Sequence, residues 1–373
     1  MKTTAPKAFS IAMMGDAMLD RDVGEHFFKK PQDFKFEALN KTLNAYDIIL
    51  LNLETPVGIN GTPHPIQQPR VTFCSHPDTL QILKNLNVTV VALANNHMLD
   101  YGPVALGETL DYLDQSGIKY AGASRNYEEA NQPALLECNG KKLAFLSYVF
   151  IYSASTLAAT KNRAGVSDHR IDNILPRIRR LKSQGYQVFV TIHWGHEYSF
   201  YPIPYQRRQA RQMIDNGATM VIGHGPHYPQ GIEDYNGGKI IHSLGNFIFD
   251  EPYFYANRSF IYGVEVTEDN RLQNERIYPL HIINHIPTLV NGKDQAWLEK
   301  RICALGKIYQ RKSPEFWKMI TNKWFRDIMF RVRFMRSFKF FTLPPMSFYF
   351  EVSYWDYVKY FGEKIVDKIK GRN

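Results

Sequence analysis

The residues of this 373-residue chain best suited to chemistry are carboxylates, carboxamides and imidazoles, and they stand where apolar runs end. Six clusters follow such runs: Gly15-Asp16, Asn52-Leu53-Glu54, Asn95-Asn96-His97, His193-Trp194-Gly195-His196-Glu197, Gly223-His224-Gly225-Pro226-His227 and Leu244-Gly245-Asn246. Mixed nitrogen and oxygen donors of this kind suit Zn, Mn or Fe(II), whereas an all-oxygen set would favour Ca or Mg. The clusters therefore predict a site for one or two divalent cations, and a pair of cations ~4 Å apart would suit phosphoryl displacement.

The apolar runs before these clusters have the length and composition of short strands, and helical patterns separate the earlier ones. Strands are predicted over 9–14, 48–51, 88–93, 143–149, 188–192, 220–222, 239–243, 261–266 and 277–283, and helices over 36–45, 77–86, 104–115, 174–182 and 205–216. This alternation indicates the α/β class, and the closely spaced later strands indicate either an antiparallel part of the sheet or a second sheet. In open α/β sheets ligands bind beyond the carboxyl ends of the strands, so the clusters are expected to converge on one crevice.

The composition excludes several other classes of protein. A hydrophobic fraction of 44% and a charged fraction of 22% are those of an ordinary globular chain, not of a disordered, collagenous or coiled-coil one. Three widely separated cysteines fit neither a disulfide framework nor a thiolate zinc site. The sequence shows no signal peptide and no transmembrane helix, so we expect a cytoplasmic protein, with the inner face of the membrane as an alternative location.

The end of the chain differs from the rest in charge and aromatic content. Residues 290–373 carry 18 Lys and Arg against 8 Asp and Glu, although the whole chain has a net charge of only +9. We therefore predict two domains, 1–290 and a basic, aromatic-rich helical extension over 291–373. Cations and large apolar side chains alternate through 296–341, which favours contact with a membrane surface, while packing of these aromatic residues on the body is the alternative. Nucleic acid is not an expected partner, because no nucleic-acid-binding motif is present.

The six clusters together resemble the bacterial capsule-synthesis family called CapA, or poly-gamma-glutamate synthesis proteins. The resemblance covers about residues 8–285 and includes the neighbours Asn52-Leu53-Glu54-Thr55-Pro56 and Ser243-Leu244-Gly245-Asn246-Phe247. It implies a metallophosphoesterase-like αββα sandwich of mixed sheets flanked by helices, to which the C-terminal helical appendage is added.

The same resemblance implies a role for each matching residue. Asp16 takes the place of the first metal's carboxylate, Glu54 that of the bridging carboxylate, and Asn96 and His193 those of second-metal ligands. His97 is the histidine that contacts phosphate or protonates the leaving group, while His224 and His227 lie in the final histidine motif. This chain departs from the wider pattern at two points: Met18 stands where a histidine is usual, and His224 and His227 are three positions apart instead of two. A single-metal site is thus an open alternative.

Each of three other residues near these motifs has two alternative roles. His196 and Glu197 either line the substrate cleft or orient His193. Arg21 either clamps an anionic substrate or pairs with Asp20 or Asp22.

The expected function is that of a metal-dependent phosphohydrolase in capsule or exopolymer synthesis, in which a water attacks phosphorus while His97 donates a proton to the departing oxygen. The expected substrate is an anionic phosphorylated or polymeric molecule. The alternative is a non-catalytic, metal-containing component that binds anionic polymer at the membrane. The sequence leaves the oligomeric state open.

Overall fold

The computed structural model describes residues 7–64, 71–150, 154–168, 170–251 and 255–311. All of them belong to one compact unit, Met1–Lys312. Most of the predicted membrane-contact stretch, residues 312–341, lies outside the described residues, so that contact stays a prediction. Within the described ranges, no helix combines the length and the apolar character that crossing a bilayer requires.

Most of the chain's strands form two sheets. In chain order the strands are β1 (Phe9–Ala17), β2 (Ile48–Leu53), β3 (Val90–Ala92), β4 (Lys119–Ala121), β5 (Ala123–Ser124), β6 (Ala134–Cys138), β7 (Lys141–Phe150), β8 (Gly165–Val166), β9 (Gln187–Trp194), β10 (Met220–His224), β11 (Ile232–Tyr235), β12 (Gly238–Ile241), β13 (Asn246–Ile248), β14 (Arg258–Val266), β15 (Leu272–Ile283) and β16 (Ile286–Leu289). Each of the nine predicted strands overlaps one of these, so those predictions are confirmed.

The first sheet has the order β16-β15-β14-β1-β2-β3-β4, with β13 beside the end of β1. Strands β1 to β4 are parallel, whereas β14 to β16 are antiparallel to their neighbours. The second sheet has the order β11-β12-β10-β9-β7-β6, and its central strands β7, β9, β10 and β12 are parallel. Both expectations for the later strands are thus met, since the chain has an antiparallel region and also a second sheet.

Helices flank the two sheets. They are α1 (Arg21–Lys29), α2 (Glu37–Leu43), α3 (Leu80–Asn85), α4 (Gly102–Ser116), α5 (Tyr127–Ala130), α6 (Ala154–Leu157), α7 (Ile171–Ser183), α8 (Pro204–Asp215) and α9 (Gly292–Arg311). The five predicted helices correspond to α2, α3, α4, α7 and α8. Helix α4 ends at Gly117, because that glycine has φ +69°, a conformation that disfavours side chains with a Cβ.

The period-two pattern of the strands produces three apolar layers. Ile11 and Met13 of β1 pack between the two sheets with Phe189 and Ile222 of the second sheet. The alternate residues of β1 face the layer that α1 to α4 cover, and the far side of the second sheet packs against α7 and α8. The predicted αββα sandwich of mixed sheets flanked by helices is therefore confirmed.

Helix α9 packs against the body, although its sequence lies in the predicted extension. Its side chains Leu298, Ile302 and Leu305 are buried, and Ile302 joins the layer between the sheets. The backbone of Gly306 passes so close to Ile232 that an added Cβ would lie 2.3 Å from the Ile232 carbonyl oxygen. The division of the chain at residue 290 stays a prediction.

Candidate metal centre

The parallel strands of the two sheets end at the same edge, and their polar ends meet there. Asp16 lies at the end of β1 and His224 at the end of β10, 208 positions later in the chain. The Nδ1–H of His224 donates a hydrogen bond of 2.8 Å to Oδ1 of Asp16, and both side chains are buried. A direct polar contact therefore joins the two sheets at the predicted crevice.

Close approach of β13 to β1 fixes the position of Asp16. At Gly15 an added Cβ would lie 1.9 Å from the carbonyl oxygen of Gly245, so only glycine fits. This approach places Asp16 opposite Asn246 in the register of the two strands. Oδ1 of Asp16 also accepts a hydrogen bond of 2.9 Å from Nδ2 of Asn52. Sequence and local geometry thus hold this carboxylate in one orientation.

Electrostatics keep Asp16 ionised despite its burial. Burial raises the pKa of this carboxyl group, but the hydrogen bond from His224 and the favourable electrostatic interactions with the His224, His193 and His227 rings outweigh it. The net effect lowers the pKa of Asp16 to about 2. The group is therefore available as an anionic ligand at neutral pH.

Glu54 and His227 face each other across a short gap. The Nδ1–H of His227 donates a hydrogen bond of 2.8 Å to Oδ1 of Asn246, which leaves Nε2 as a lone pair. This Nε2 lies 3.7 Å from Oε1 of Glu54. One donor atom from each of Asp16, Glu54 and His227 lies within 4.8 Å of the others. An imidazole nitrogen and two carboxylate oxygens so close together match the donor set of a divalent cation.

The surroundings of the Glu54 carboxylate show whether these residues fit a metal ion. It is fully buried, and neither of its oxygens accepts a hydrogen bond from any described residue. Burial raises its pKa well above the usual value, and the negative charges of Asp16, Glu197, Glu251 and Asp100 raise it further. A buried carboxylate without donors is costly unless a cation compensates it, so the residues present fit a metal ion.

Further atoms that could ligate a metal ion come from the strand ends of both sheets. The buried atoms without a hydrogen-bond partner among the described residues include Asn96 Oδ1, His193 Nδ1, His224 Nε2 and Asn52 Oδ1. His193 lies beside His224 on the neighbouring strand. Burial lowers the pKa of His193 to about 3, so its imidazole is neutral and able to act as a ligand.

His97 is oriented toward Glu54 from the end of β3. Its Nδ1–H donates a hydrogen bond of 2.8 Å to Oδ2 of Asp100, and its ring packs on Phe73 with centroids 4.3 Å apart. Its Nε2 lies 4.0 Å from Oε1 of Glu54. The imidazole atom that faces the centre is therefore Nε2, and Asp100 fixes that orientation.

Arg21 pairs with a residue outside the predicted ligand set, and His196 is exposed, unlike most of the ligands predicted from the sequence. Arg21 donates from Nε to Asp250 at 3.0 Å and pairs through its second nitrogen with the same carboxylate, while its guanidinium lies over Phe73. The structure thus gives Arg21 a partner, Asp250, that neither sequence reading named. His196 is exposed, and its role in the cleft stays a prediction.

Sequence reasoning assigned no ligand role to several residues that complete the centre. Asn52 and Asn246 were visible in the motifs but carried no ligand assignment, and Asp100 lies in the segment after Asn96-His97. Glu251 and Tyr198 also belong to the surroundings, since Tyr198 Oη donates a hydrogen bond of 3.0 Å to Oε1 of Glu251. Nothing in the sequence marked Glu251.

Met18 occupies the place where the resemblance leads one to expect a histidine. Its side chain is fully buried in the apolar layer beneath α1 to α4, and its Sδ accepts a hydrogen bond from the Asp20 amide. The first motif therefore supplies the carboxylate of Asp16 but no imidazole.

Comparisons with known proteins agree with these motifs. A family model described as "Bacterial capsule synthesis protein PGA_cap" matches residues 10–251. The chain is 32% identical over 254 residues to the "PGA biosynthesis protein CapA" of Bacillus subtilis, with 68% of this chain and 66% of that protein covered. It is 30% identical over 288 residues to the "Capsule biosynthesis protein CapA" of Bacillus anthracis, with 76% and 70% covered. The match thus spans about two thirds of the length of these relatives.

Two of the solved structures that match this chain are nucleotidases. A putative 5'-nucleotidase from Staphylococcus aureus matches with a TM-score of 0.48 and 12% identity, covering 79% of this chain and 58% of that one. The NAD nucleotidase of Haemophilus influenzae matches with a TM-score of 0.44 and 12% identity, covering 79% and 62%.

Proposed function

This chain belongs to the family of bacterial capsule synthesis proteins, and on that premise we propose that it is a metal-dependent phosphoesterase that acts in capsule or exopolymer synthesis. The Glu54 carboxylate carries the proposal. It is fully buried, both of its oxygens lack hydrogen bonds from described residues, and it faces Nε2 of His227 at 3.7 Å. Such a group is suited to holding a divalent cation and poorly suited to a purely structural role.

Asp16, Glu54 and His227 would hold the cation, and Asn96, His193 and His224 offer further donor atoms from neighbouring strand ends. A divalent cation bound there would supply Lewis acidity toward a phosphoryl oxygen and an attacking water.

The protein's own groups provide the rest of the chemistry. Asp100 accepts the Nδ1–H of His97, which leaves Nε2 to hold a proton for the departing oxygen. Asn246 accepts the Nδ1–H of His227 and so keeps Nε2 of that ring directed at Glu54. These two contacts orient the site before substrate binds.

A metal-loading assay tests this function. The purified protein is loaded with Mn or Zn, its metal content is measured by elemental analysis, and hydrolysis of p-nitrophenyl phosphate and bis(p-nitrophenyl) phosphate is followed. We expect His97→Ala to slow turnover by about 10²-fold or more and Glu54→Gln to lose both metal and activity. Glu25→Gln, an exposed carboxylate-to-amide change on α1, serves as the matched control. Equal rates in all four proteins would end the proposal.

A non-catalytic, metal-containing polymer-binding component is the second candidate, and the burial of Met18 in the core favours it. With no imidazole from the first motif, the centre has one ligand fewer than the wider pattern provides. Bound metal together with no hydrolysis of either ester, and retention of polyglutamate by the loaded protein, would select this candidate over the enzyme.

A further inference from the structure

Glu251 is a largely buried carboxylate beside the candidate centre that the proposed chemistry leaves unused. It follows β13 by three residues, and β13 is the strand that carries Asn246 to His227. Oε1 of Glu251 accepts the hydrogen bond from Tyr198. Oε2 is buried and accepts no hydrogen bond from any described residue.

The backbone of Tyr198 shows that this contact is held in place. Tyr198 has φ +57°, a left-handed conformation that is unfavourable for an aromatic residue. Its ring lies against the His227 ring with centroids 5.5 Å apart. Residues keep such conformations when the surrounding structure imposes them, and they cluster at functional sites. Tyr198 thus links Glu251 to a predicted metal ligand.

The described neighbours do not supply the missing donor. Arg21 already pairs with both oxygens of Asp250, and His227 donates its Nδ1–H to Asn246. Glu251 is also not a member of the Asp16, Glu54 and His227 group whose donor atoms lie within 4.8 Å of one another. One cation at that group would therefore explain Glu54 but not Oε2 of Glu251.

We propose that Oε2 of Glu251 binds a hydrogen-bond donor, a hydroxyl or an ammonium group, on the organic part of a phosphoester whose phosphoryl group lies at the metal centre. This inference rests on the proposed function and names the substrate class of that same site. A buried carboxylate oxygen with an open acceptor position favours ligands that fill it over ligands of equal size that do not. Simple alkyl phosphates are accordingly poor ligands, and polyol or aminoalkyl phosphates are good ones.

Three small esters of similar size provide the test. Glycerol 3-phosphate offers hydroxyl donors, 2-aminoethyl phosphate offers an ammonium donor, and propyl phosphate offers neither. Dissociation constants are measured by isothermal titration calorimetry on metal-loaded protein carrying His97→Ala, so that the esters persist during the titration. We expect at least one donor-bearing ester to bind about ten-fold or more tightly than propyl phosphate, and which one does so identifies the donor.

Glu251→Gln in the same background is the decisive variant. Its amide oxygen can still accept from Tyr198, but its NH₂ group replaces the acceptor at Oε2, so the preference over propyl phosphate is expected to vanish. Glu25→Gln is expected to keep the preference. Tyr198→Phe, which removes only the hydroxyl group that bonds Glu251, is expected to reduce this preference and serves if Glu251→Gln does not fold. The inference is overturned if propyl phosphate binds as tightly as both other esters, or if the preference survives Glu251→Gln.

Failure of this inference can be distinguished from failure of the proposed function. Absence of hydrolysis by the unmutated, metal-loaded protein refutes the phosphoesterase, whereas the ratio of dissociation constants reports on Glu251 alone.

Discussion

Replacing Asn246 by alanine tests whether His227 is prepared as a metal ligand before any cation arrives. Asn246 is fully buried and His227 is 5% exposed, so their hydrogen bond of 2.8 Å is shielded from water. In Asn246→Ala the Nδ1–H of His227 loses its acceptor. An unsatisfied buried donor costs about 1–3 kcal/mol, so the free energy of unfolding of the metal-free protein is expected to fall by that amount.

Metal binding is also expected to weaken, because the imidazole becomes free to rotate or to move its proton to Nε2. Loss of a group that orients a metal ligand weakens affinity about 10–100-fold, which is ~1.4–2.8 kcal/mol of binding free energy. Affinity for Zn or Mn is measured by competition with a fluorescent chelator. The ring's ¹⁵N chemical shifts report which nitrogen of His227 carries the proton.

Asn246→Asp is the matched control. Nδ2 of Asn246 has no hydrogen-bond partner among the described residues, so replacing that NH₂ group by oxygen breaks no contact of the described part of the chain and keeps the acceptor for His227. Asn246→Asp is expected to retain metal affinity far better than Asn246→Ala. Unchanged affinity and an unchanged His227 tautomer in Asn246→Ala would refute the orienting role.

Three further substitutions are expected to change stability or metal binding in a defined direction. Glu54→Gln removes a buried carboxyl group that no described residue satisfies and that repels Asp16, so calorimetry should show a higher melting temperature without metal and no further rise when Mn is added. Gly225→Ala places a methyl group 2.9 Å from the His193 ring at a residue whose φ is +101°. Chemical denaturation is expected to show a loss of about 1–3 kcal/mol of unfolding free energy, and chelator competition is expected to show weaker metal binding. Burial would raise the pKa of Glu233, but hydrogen bonds from His242 and a neighbouring guanidinium group lower it to about 2. Its stabilising contribution is therefore present above pH ~4.5 and lost as pH falls toward 2, and Glu233→Gln should flatten that part of a stability profile measured by denaturant titration.

The convergence of the strand ends could be predicted because it follows from a simple geometric rule. Parallel strands have their carboxyl ends at one edge, so the clusters that follow β1, β2, β3, β9 and β10 had to come near one another. Alternate residues of each strand point to opposite faces of its sheet, and this rule determines which residues form the layer between the sheets. These two regularities operate within a few residues of each strand and are visible without knowledge of long-range contacts.

The contacts that complete the site could not be predicted in this way. Arg21 and Asp250 are 229 positions apart, and no local pattern connects them. Strand β13 has three residues, too few for a periodic signal, and its place beside β1 depends on the contact between Gly15 and Gly245. Glu251 follows from that placement, so its position became evident only with the fold.

The candidate centre ties the chemistry of this protein to the packing of its two sheets. Asp16 and Glu54 belong to the first sheet and its loops, whereas His224 and His227 belong to the second. Without a cation, burial raises the pKa of Glu54, and repulsion from the nearby carboxylate of Asp16 raises it further. A cation that bound donors from both sheets would remove this repulsion and would bind only the folded state, so its binding free energy would add to the stability of the sandwich. The hydrogen bond between His224 of the second sheet and Asp16 of the first sheet prepares the centre for a cation, because it holds the Asp16 carboxylate in one position.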